Sequence, residues 1–276
     1  MQQAWLIIAH NEFEVLRQLV SMLDAPESDF YIHFDKKVQT LPDIRVEKGN
    51  LTILKKRIDV SWGTVSQIKT ELLLLETAQK NGPYGHYHIL SGTHLPLKPV
   101  EELIAFYDCH PDEEVMRFWE TDEGDADFKL RRYHYPMRYF KSTGHPVRKA
   151  VDSFIWKTLL KIQKGLGIRH HIRCHFQKTD NWMSLSEAGC TYLVQHKKDI
   201  LKKYRWSFCG DEYFAATELL AQTETFRIFD CQDLLHVEFI GDTPKSFLLS
   251  EYAVIQKTGV WWARKFTSRL SHIFSS

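Results

Sequence analysis

The sequence predicts an α/β protein built on a mainly parallel, twisted sheet flanked by helices. Over the first hundred residues, short runs of β-branched and aromatic residues alternate with apolar repeats of helical period. Such alternation is typical of a doubly wound parallel sheet, because each helix carries the chain back to start the next strand in the same direction. With 276 residues, 43% of them hydrophobic, the chain can bury a large core.

The elements of this first part follow from their periodicity. The longest helix should begin after Thr64, because Gln67 three residues later completes a capping-box pattern ahead of an apolar repeat. In chain order we predict strand 5–9, helix 12–23, strand 30–34, strand 52–55, helix 65–80 and strand 87–90.

Polar residues follow four of these segments at the point where each should turn. In open α/β sheets, ligands bind beyond the carboxyl ends of the strands, so these loops should line one crevice. Turn formation alone also explains a single polar residue at a strand end. The loops are His10–Asn11, Asp35–Lys36, residues 60–63 and residues 91–94.

The composition changes between residues 128 and 176, where about a dozen Lys and Arg face one acid, Asp152. Apolar residues fall on one helical face and basic residues cover the rest. The pattern allows two interpretations, a surface helix docked on the core with solvated lysines, or attachment to an anionic membrane. The apolar set is Val151, Phe154, Ile155, Leu159 and Ile162, and the basic set is Arg148, Lys149, Lys157, Lys161 and Lys164.

The final third returns to mixed α/β patterns. Ser184 and Glu187 form a second capping-box pattern, and Asp211 is placed to cap a following helix. Glu212 would then lie in the first turn, where the helix dipole favours a carboxylate able to accept a proton. Acids are common in first helical turns, so a purely structural role explains Glu212 equally simply.

Two pairs of charged residues are alternative candidates for binding a phosphate-bearing ligand, one through a metal ion and the other directly. Asp125 and Asp127 form a DxD pair of the kind that holds a metal, but they lie in a run of acids that resembles a solvated loop rather than the end of a buried strand. Without a metal, cations must stabilise a departing diphosphate, and Arg264 and Lys265 are candidates. A solvated tail is the alternative interpretation of these two.

Composition limits the remaining classes. A formal charge of +1 argues against a dedicated nucleic-acid binder. The five cysteines are scattered without a CxxC pair, which indicates reduced thiols and no zinc site. The N-terminal apolar run is too short for a signal-peptide core, so we expect a buried strand, a cytoplasmic protein and no membrane span. We expect a single domain over 1–276.

Six motifs in order resemble one family across nearly the whole chain, the core-2/I-branching β-1,6-N-acetylglucosaminyltransferases and peptide O-xylosyltransferases (glycosyltransferase family 14). They are YIHFDKK at 31–37, VSWGTVSQIKTELLLLETA at 60–78, YHILSGTHLPLKP at 87–99, WMSLSE at 182–187, FCGDEYFAAT at 208–217 and ARKF at 263–266.

This resemblance implies a GT-A-like fold with a basic helical insertion, and inverting transfer from a UDP-sugar without a required cofactor or metal. It also implies a nucleotide-binding half (1–100) and an acceptor-binding, catalytic half (101–276). It places the catalytic base on Glu212, a phosphate-binding lysine on Lys265 and a nucleotide-contacting aspartate on Asp35. His10, Ser61 and Trp62 would enclose the uridine. The acceptor-binding residues would be Glu120, Lys129, Arg131 and Trp182.

Two departures from the family pattern stand out. His94 replaces the aspartate of the usual SGxDxPL motif. A further phosphate-binding arginine lacks a clear counterpart, and either Lys245 or Arg264 could supply its charge.

The resemblance is to the bacterial branch involved in surface polysaccharide assembly, which implies a glycan or lipid-linked acceptor and a location in the cytoplasm or at the inner face of the membrane. GlcNAc is the first expectation for the donor sugar, with xylose or another sugar as alternatives. Two alternative hypotheses remain. One is a metal-dependent GT-A enzyme using Asp125 and Asp127, and the other is a catalytically silent carbohydrate- or membrane-binding homologue.

Overall fold

A central sheet with helices on both faces organises the chain in the computed structural model, which describes residues 1–141, 144–170, 172, 174–222, 224–241 and 243–268. The strands are β1 (Gln3–Ala9), β2 (Ser28–Phe34), β3 (Asn50–Ile53), β4 (His86–Ser91), β5 (Leu95–Pro96), β6 (Glu113–Met116), β7 (Ser184–Leu185), β8 (Arg227–Asp230), β9 (Leu235–His236), β10 (Phe239–Ile240), β11 (Thr243–Pro244), β12 (Phe247–Leu248), β13 (Trp262–Ala263) and β14 (Phe266–Thr267). The α-helices are α1 (Phe13–Leu23), α2 (Ser66–Gln79), α3 (Val100–Asp108), α4 (Glu123–Leu130), α5 (Pro146–Leu166), α6 (Glu187–Gln195), α7 (Lys197–Lys203), α8 (Phe214–Leu220) and α9 (Tyr252–Ile255).

The main sheet of the described chain has seven strands in the order β3-β2-β1-β4-β7-β6-β8. Strands β3, β2, β1 and β4 run parallel, as do β6 and β8, whereas β7 is antiparallel to both of its neighbours. The predicted α/β class with a mainly parallel sheet and flanking helices is therefore confirmed. The carboxyl ends of β1, β2 and β4 meet at one edge.

Strand β1 explains why this sheet is covered on both faces. Alternate side chains of a strand point to opposite faces, and nearly every residue of β1 is buried. Leu6 packs in the core that contains α2, while Trp5 and Ile7 pack in the core that contains α1. The uninterrupted apolar run in the sequence is the consequence of this two-sided burial.

The six elements predicted for the first hundred residues are all present, but the start of α2 differs from the prediction. Its N-cap position is Val65, and no side chain caps it. The Thr64 hydroxyl accepts from the Ser66 amide at 3.2 Å, and the Gln67 side chain accepts from Gly63 and donates to Asp211. The predicted capping box is wrong because Gln67 is engaged across the fold.

The second predicted capping box is also wrong in its first residue. Ser184 lies in β7, where its hydroxyl bonds the Nδ1 atom of His88 at 2.8 Å. The cap of α6 is Ser186, which accepts from the Gly189 amide at 3.1 Å. Ser184 does not cap α6 because it lies in β7, which pairs with β4 and β6.

The C-terminal segment returns to the middle of the fold. Strand β13 pairs antiparallel with β5 and parallel with β9, and the Phe266 amide donates to the Thr93 carbonyl at 2.9 Å. The residues between β13 and β14 therefore lie beside the 91–94 turn that follows β4. Arg264 and Lys265 are part of the folded core region, so their interpretation as a solvated tail is wrong.

The basic helix is present as α5, but its apolar residues do not face the core. Trp156 and Gln163 are its buried residues. All five residues of the predicted apolar face are exposed, with Phe154 at 73%. Docking through the apolar face, one of the two interpretations of the pattern, is therefore wrong.

Candidate active site

The ends of β1 and β2 bring His10 and Asp35 to one edge of the sheet. The Asp35 amide donates to Ala9 at 2.9 Å, and the Asp35 carboxylate, 4% exposed, accepts from the Lys37 amide and ammonium at 2.8 and 2.9 Å. Burial lowers the pKa of the His10 imidazole, and Lys265 and Lys37 act in the same direction while Asp35 opposes them. His10, Asp35 and Lys265 thus share one neighbourhood, as predicted.

The 60–63 loop closes one side of this neighbourhood. The Val60 amide donates to the Asp35 carboxylate at 3.2 Å, and Trp62 leaves 40% of its surface exposed. The edge of the Phe208 ring supports Trp62 at a centroid distance of 5.4 Å. Gly63 adopts a left-handed conformation (φ 72°), and an added Cβ would lie 2.9 Å from the Phe208 ring, so a glycine is required there.

Arg264 and Lys265 form a cation pair, in which burial lowers the pKa of Arg264 to about 10 while Asp180 acts in the opposite direction from beyond ion-pair distance. Among the residues that the structure describes, no carboxylate lies within ion-pair distance of either side chain. Burial lowers the pKa of Lys265 to about 8, and Arg264 and Lys141 contribute in the same direction. The Arg264 Nε atom is buried and has no hydrogen-bond acceptor among the described residues. Buried cations in this condition favour an anionic ligand.

His94 and Trp182 line the other side of Arg264. The Arg264 guanidinium lies 4.7 Å from the centroid of the Trp182 ring, and the His94 ring meets the same indole edge-on at 4.8 Å. His94 is fully buried, and its Nδ1 atom bonds the Ser91 hydroxyl at 2.8 Å. Burial lowers the pKa of His94 well below its usual value, with Arg264 and Lys265 adding to the effect, so the ring stays neutral. Trp182 contacts the cation pair rather than the predicted acceptor residues.

Glu212 lies in a 3-10 turn, Gly210–Glu212, directly before α8. The turn begins after Cys209, whose backbone is left-handed (φ 50°) and whose amide donates to the Gly63 carbonyl at 2.9 Å. Asp211 does not cap α8, whose N-cap position is Tyr213 without a side-chain bond. The predicted cap is wrong because the Asp211 side chain points into the protein.

The Glu212 carboxylate is paired with Lys129. Lys129 Nζ lies 3.3 Å from Glu212 Oε2 and 2.9 Å from Asp125 Oδ2. Although burial acts to lower it, Glu212 and Asp125 raise the pKa of Lys129, so the ammonium stays charged. The predicted base and one predicted acceptor residue are therefore in direct contact.

Behind Glu212 lie two buried carboxyl groups, those of Asp211 and Glu71, whose proximity the sequence patterns did not predict. Asp211 accepts from Gln67 Nε2 at 2.6 Å and from Asn181 Nδ2 at 3.1 Å. Burial, with the charge of Glu212, raises the pKa of Asp211 to about 7, and burial beside Asp211 raises that of Glu71. Glu71 lies on the same helical face as Ile68, Leu72 and Leu75, and an acid on an apolar face was the available signal.

Asp125 and Asp127 belong to helix α4 rather than to a solvated loop. Asp122 caps that helix by accepting from the Asp125 amide at 2.6 Å. Asp125 accepts from the Tyr213 hydroxyl at 3.0 Å and pairs with Lys129. Asp127 lies between three guanidinium groups, those of Arg131, Arg132 and Arg169, at 3.9, 3.6 and 3.2 Å. Both carboxylates are already balanced by side-chain cations.

The remaining predicted residues differ in their placement. Lys245 pairs with Glu238 at 2.8 Å, and no described side-chain contact joins it to Lys265. Arg131 donates to the carbonyls of residues 172 and 174 and lies 4.9 Å from the Phe176 ring centroid, which are contacts that hold a loop in place. Glu120 is exposed.

Two further residues near the site were not predicted. The Lys141 ammonium lies 4.2 Å from the centroid of the Trp62 ring and acts electrostatically on Lys265. Trp119 is 38% exposed and donates to Lys178 through its amide, while the adjacent Thr179 amide donates to the Glu212 carbonyl. An exposed indole therefore lies beside the Lys178–Thr179 segment, which bonds the Glu212 turn.

Comparison with known proteins identifies a family. The model described as Core-2/I-Branching enzyme matches residues 3–228. Mouse xyloside xylosyltransferase 1, in its apo form, is 10% identical, with 95% of this chain and 96% of that chain covered and a TM-score of 0.39. Residues 1–349 of TarS from S. aureus are 12% identical, with 74% and 66% covered and a TM-score of 0.29. A search of curated protein sequences finds no significant match.

Proposed function

The chain belongs to the core-2/I-branching enzyme family of glycosyltransferases, and from this premise we propose that it transfers a sugar from a UDP-sugar to a glycan hydroxyl with inversion. GlcNAc is the donor sugar that we expect first, with xylose as an alternative, and the product is a β-linked glycan. The reaction requires no metal in this proposal. The family match ends at residue 228, so the role of Lys265 rests on the geometry around it.

One observation carries the proposal: a carboxylate and a cation pair that no described carboxylate contacts directly are fixed on adjacent segments. Arg264 stacks on Trp182, and the neighbouring Asn181 donates to Asp211, the residue before Glu212. The arrangement supplies a base at one point and a binding site for an anion at another. A transfer from a diphosphate-linked donor to a hydroxyl needs both groups.

In the proposed step, the Glu212 carboxylate accepts the proton of the acceptor hydroxyl. The hydroxyl oxygen forms a bond to the anomeric carbon on the face opposite the diphosphate, and the bond between that carbon and the diphosphate oxygen breaks. UDP leaves with the electron pair, and Lys265 and Arg264 stabilise its charge. A single displacement of this kind inverts the anomeric configuration, and orientation of the two substrates lowers its barrier further.

The loops around Asp35 are proposed to hold the nucleotide. Asp35 is fixed by Lys37 and the Val60 amide, so its position does not depend on ligand binding. The partly exposed Trp62 offers an aromatic face beside it, and His10 and Ser61 border the same space. Lys141 over Trp62 adds a third positive charge in electrostatic range of Lys265. A base and a diphosphate would suit this combination.

On the acceptor side, Lys129 is the best-supported residue because it contacts Glu212 directly. It would orient the carboxylate toward the incoming hydroxyl. Glu120 and the exposed face of Trp119 are proposed to bind the acceptor sugar, whereas Arg131 acts by holding the loop that packs on it. Trp182 is proposed to act between the donor phosphates and the acceptor.

Metal independence is supported by the surroundings of the DxD pair. Asp125 and Asp127 are each held by lysine or arginine side chains, which a metal would have to displace. Within the described part of the chain, no cluster of three or more His, Cys, Asp or Glu is arranged to hold a metal ion. Lys265 and Arg264 would stabilise the leaving group instead.

The proposed setting is assembly of a bacterial surface polysaccharide from a lipid-linked acceptor at the cytoplasmic face of the membrane. Over the described residues, no helix is both long and apolar enough to cross a bilayer. The support for a membrane acceptor is the basic segment around α5.

Incubation with a panel of UDP-sugars, followed by mass spectrometry of released UDP and of glycosylated product, tests the proposal. We expect release of UDP from one or two donors, undiminished in EDTA. Loss of all turnover in EDTA, restored by a divalent cation, would favour the metal-dependent alternative. A folded protein that releases no UDP from any donor, with or without glycan acceptors, would favour the silent homologue.

A further inference from the structure

Helix α5 presents an apolar ridge to solvent along its whole length. Phe154 and Leu166 are 73% and 72% exposed, and Val147 is 75% exposed. Seven apolar residues contribute to the ridge. They are Val147, Val151, Phe154, Ile155, Leu159, Ile162 and Leu166, each at least 36% exposed. Isolated exposed apolar residues are ordinary, but a continuous ridge of this kind marks an interaction surface.

The orientation of α5 is fixed by a different face. Trp156 Nε1 donates to His134 Nδ1 at 3.0 Å, and the Gln163 amide group bonds both the amide and the carbonyl of Tyr133 at 2.9 Å. These two anchors are seven residues apart, so they lie on one side of the helix. Phe154 and Ile162 project from another side. The ridge therefore faces solvent because the anchors hold it there.

The charged residues of α5 are almost entirely cationic. The helix has a single acid, Asp152, whose carboxylate accepts from the Tyr139 amide at 3.4 Å. It has five cations, which are Arg148, Lys149, Lys157, Lys161 and Lys164. Among the residues that the structure describes, no carboxylate lies within ion-pair distance of the five cations. Their charge is available to an external anionic surface.

We infer that α5 binds along the surface of an anionic lipid membrane, with the ridge inserted among the acyl chains near the headgroups. A helix of 21 residues is about 30 Å long, which is enough for a surface anchor. The combination of exposed apolar residues with flanking lysines is typical of interfacial helices. A protein partner would be expected to place carboxylates opposite a few particular cations, whereas the five cations of α5 are spread along the helix.

The inner face of α5 contacts the elements that form the proposed active site. Trp156 packs against Phe208 at a centroid distance of 6.1 Å, and Phe208 contacts Trp62 at 5.4 Å. Phe208 also precedes the turn that carries Glu212. If the proposed transferase function holds, membrane binding through α5 places the catalytic turn close to a lipid-linked acceptor. The membrane contact itself does not depend on turnover.

Flotation of the full chain with phosphatidylcholine vesicles, with and without about one-third phosphatidylglycerol, tests this inference. We expect flotation with the anionic vesicles at low salt and release at high salt, because salt screens the attraction. Phe154→Ser with Leu166→Ser should weaken binding at least about tenfold, since both side chains are exposed and their removal costs apolar burial only in the membrane. Lys157→Glu with Lys161→Glu should abolish the preference for anionic lipid.

Matched controls separate the ridge from general surface properties. Ile240→Ser removes an apolar residue that is 72% exposed on the β10–β11 hairpin, and Lys55→Glu with Lys56→Glu makes the same charge change on another surface. Neither should alter flotation. The inference is overturned if the unaltered protein does not float, if the α5 variants float like it, or if light scattering shows a dimer that the ridge variant dissociates. Circular dichroism confirms that each variant is folded.

Discussion

The surroundings of Glu212 and those of Lys265 differ in how their charges are balanced. The Lys129 ammonium lies between the carboxylates of Glu212 and Asp125 and forms an ion pair with each. Lys265 has Arg264 and Lys141 as electrostatic neighbours, and no acid among the described residues forms an ion pair with it. Charges are paired within the first neighbourhood, whereas in the second Lys265 has no ion-pair partner among the described residues.

The same difference is visible in the pKa values of the two lysines. Glu212 and Asp125 raise the pKa of Lys129 against the effect of burial, whereas burial and neighbouring cations lower that of Lys265 to about 8. A buried cation without a partner destabilises the free protein, and binding of a diphosphate would relieve that cost. Under the proposed function, the first neighbourhood would hold the catalytic carboxylate in place and the second would provide binding energy for the donor.

The largest expected effect is that of Glu212→Gln on the transfer step. The amide cannot accept the acceptor proton, so the rate should fall by about two orders of magnitude or more while UDP affinity is unchanged. Product formation under saturating donor and calorimetry with UDP measure the two quantities. Glu102→Gln, which changes an exposed carboxylate of α3, is the matched control and should leave the rate unchanged, whereas Glu120→Gln should reduce transfer less than Glu212→Gln does.

A folded Glu212→Gln protein with normal transfer would remove Glu212 from the mechanism. The ion pairs of Lys129 would then serve only to stabilise the fold, and the proposed difference between a catalytic region at Glu212 and a binding region at Lys265 would be wrong. Equal losses in the Glu212 and Glu120 variants would indicate that the base has been assigned to the wrong carboxylate.

The next effect concerns the cation pair. Lys265→Ala should weaken UDP binding by about 10- to 100-fold, because a charge-assisted hydrogen bond contributes about 1.5–3 kcal/mol. Asp125→Asn with Asp127→Asn should leave that affinity nearly unchanged, as should EDTA. Calorimetry checks both, and the reverse pattern would show that a metal, rather than the lysine, holds the diphosphate.

Lysine protonation gives the same experiment a second readout. Affinity of the unaltered protein for UDP should decline as the pH rises through about 8, because Lys265 then loses its proton. Lys265→Arg should bind UDP with less dependence on pH over this range, since the guanidinium stays charged.

The smallest effect is on stability and involves Asp211. Its pKa is about 7 in the folded protein and about 4 in an unfolded chain, so the folded state binds the proton more tightly. The stabilising contribution is complete below about pH 4 and is lost as the pH rises through 7, with a slope of at most about 1.4 kcal/mol per pH unit. Urea unfolding between pH 5 and 8 should show a shallower decline for Asp211→Asn. An identical pH profile for the variant and the unaltered protein would contradict the assignment, and Glu120→Gln should leave the slope intact.

The sequence by itself determined the architecture of the first hundred residues. Strand β1 was located because burial on two faces demands an unbroken apolar run, and helix α2 was located because its apolar residues recur with helical period. The order of the motifs also indicated the family, which is confirmed, while the roles that it implies for Glu212, Lys265 and Asp35 stay predictions. The contacts of His10 and Lys129 agree with the neighbourhoods that those motifs predicted, although their roles stay predictions.

Only the tertiary structure decided how charges far apart in the chain are combined. Gln67 fits a helix cap by spacing, yet it donates to Asp211, 144 residues away, which also places Glu71 beside a second carboxyl group. Periodicity showed that α5 has an apolar face, but the anchors at Trp156 and Gln163 decide which face docks. Periodicity arises from the geometry of a single segment, whereas docking and charge pairing arise from the distances between segments, and those distances exist only in the folded chain.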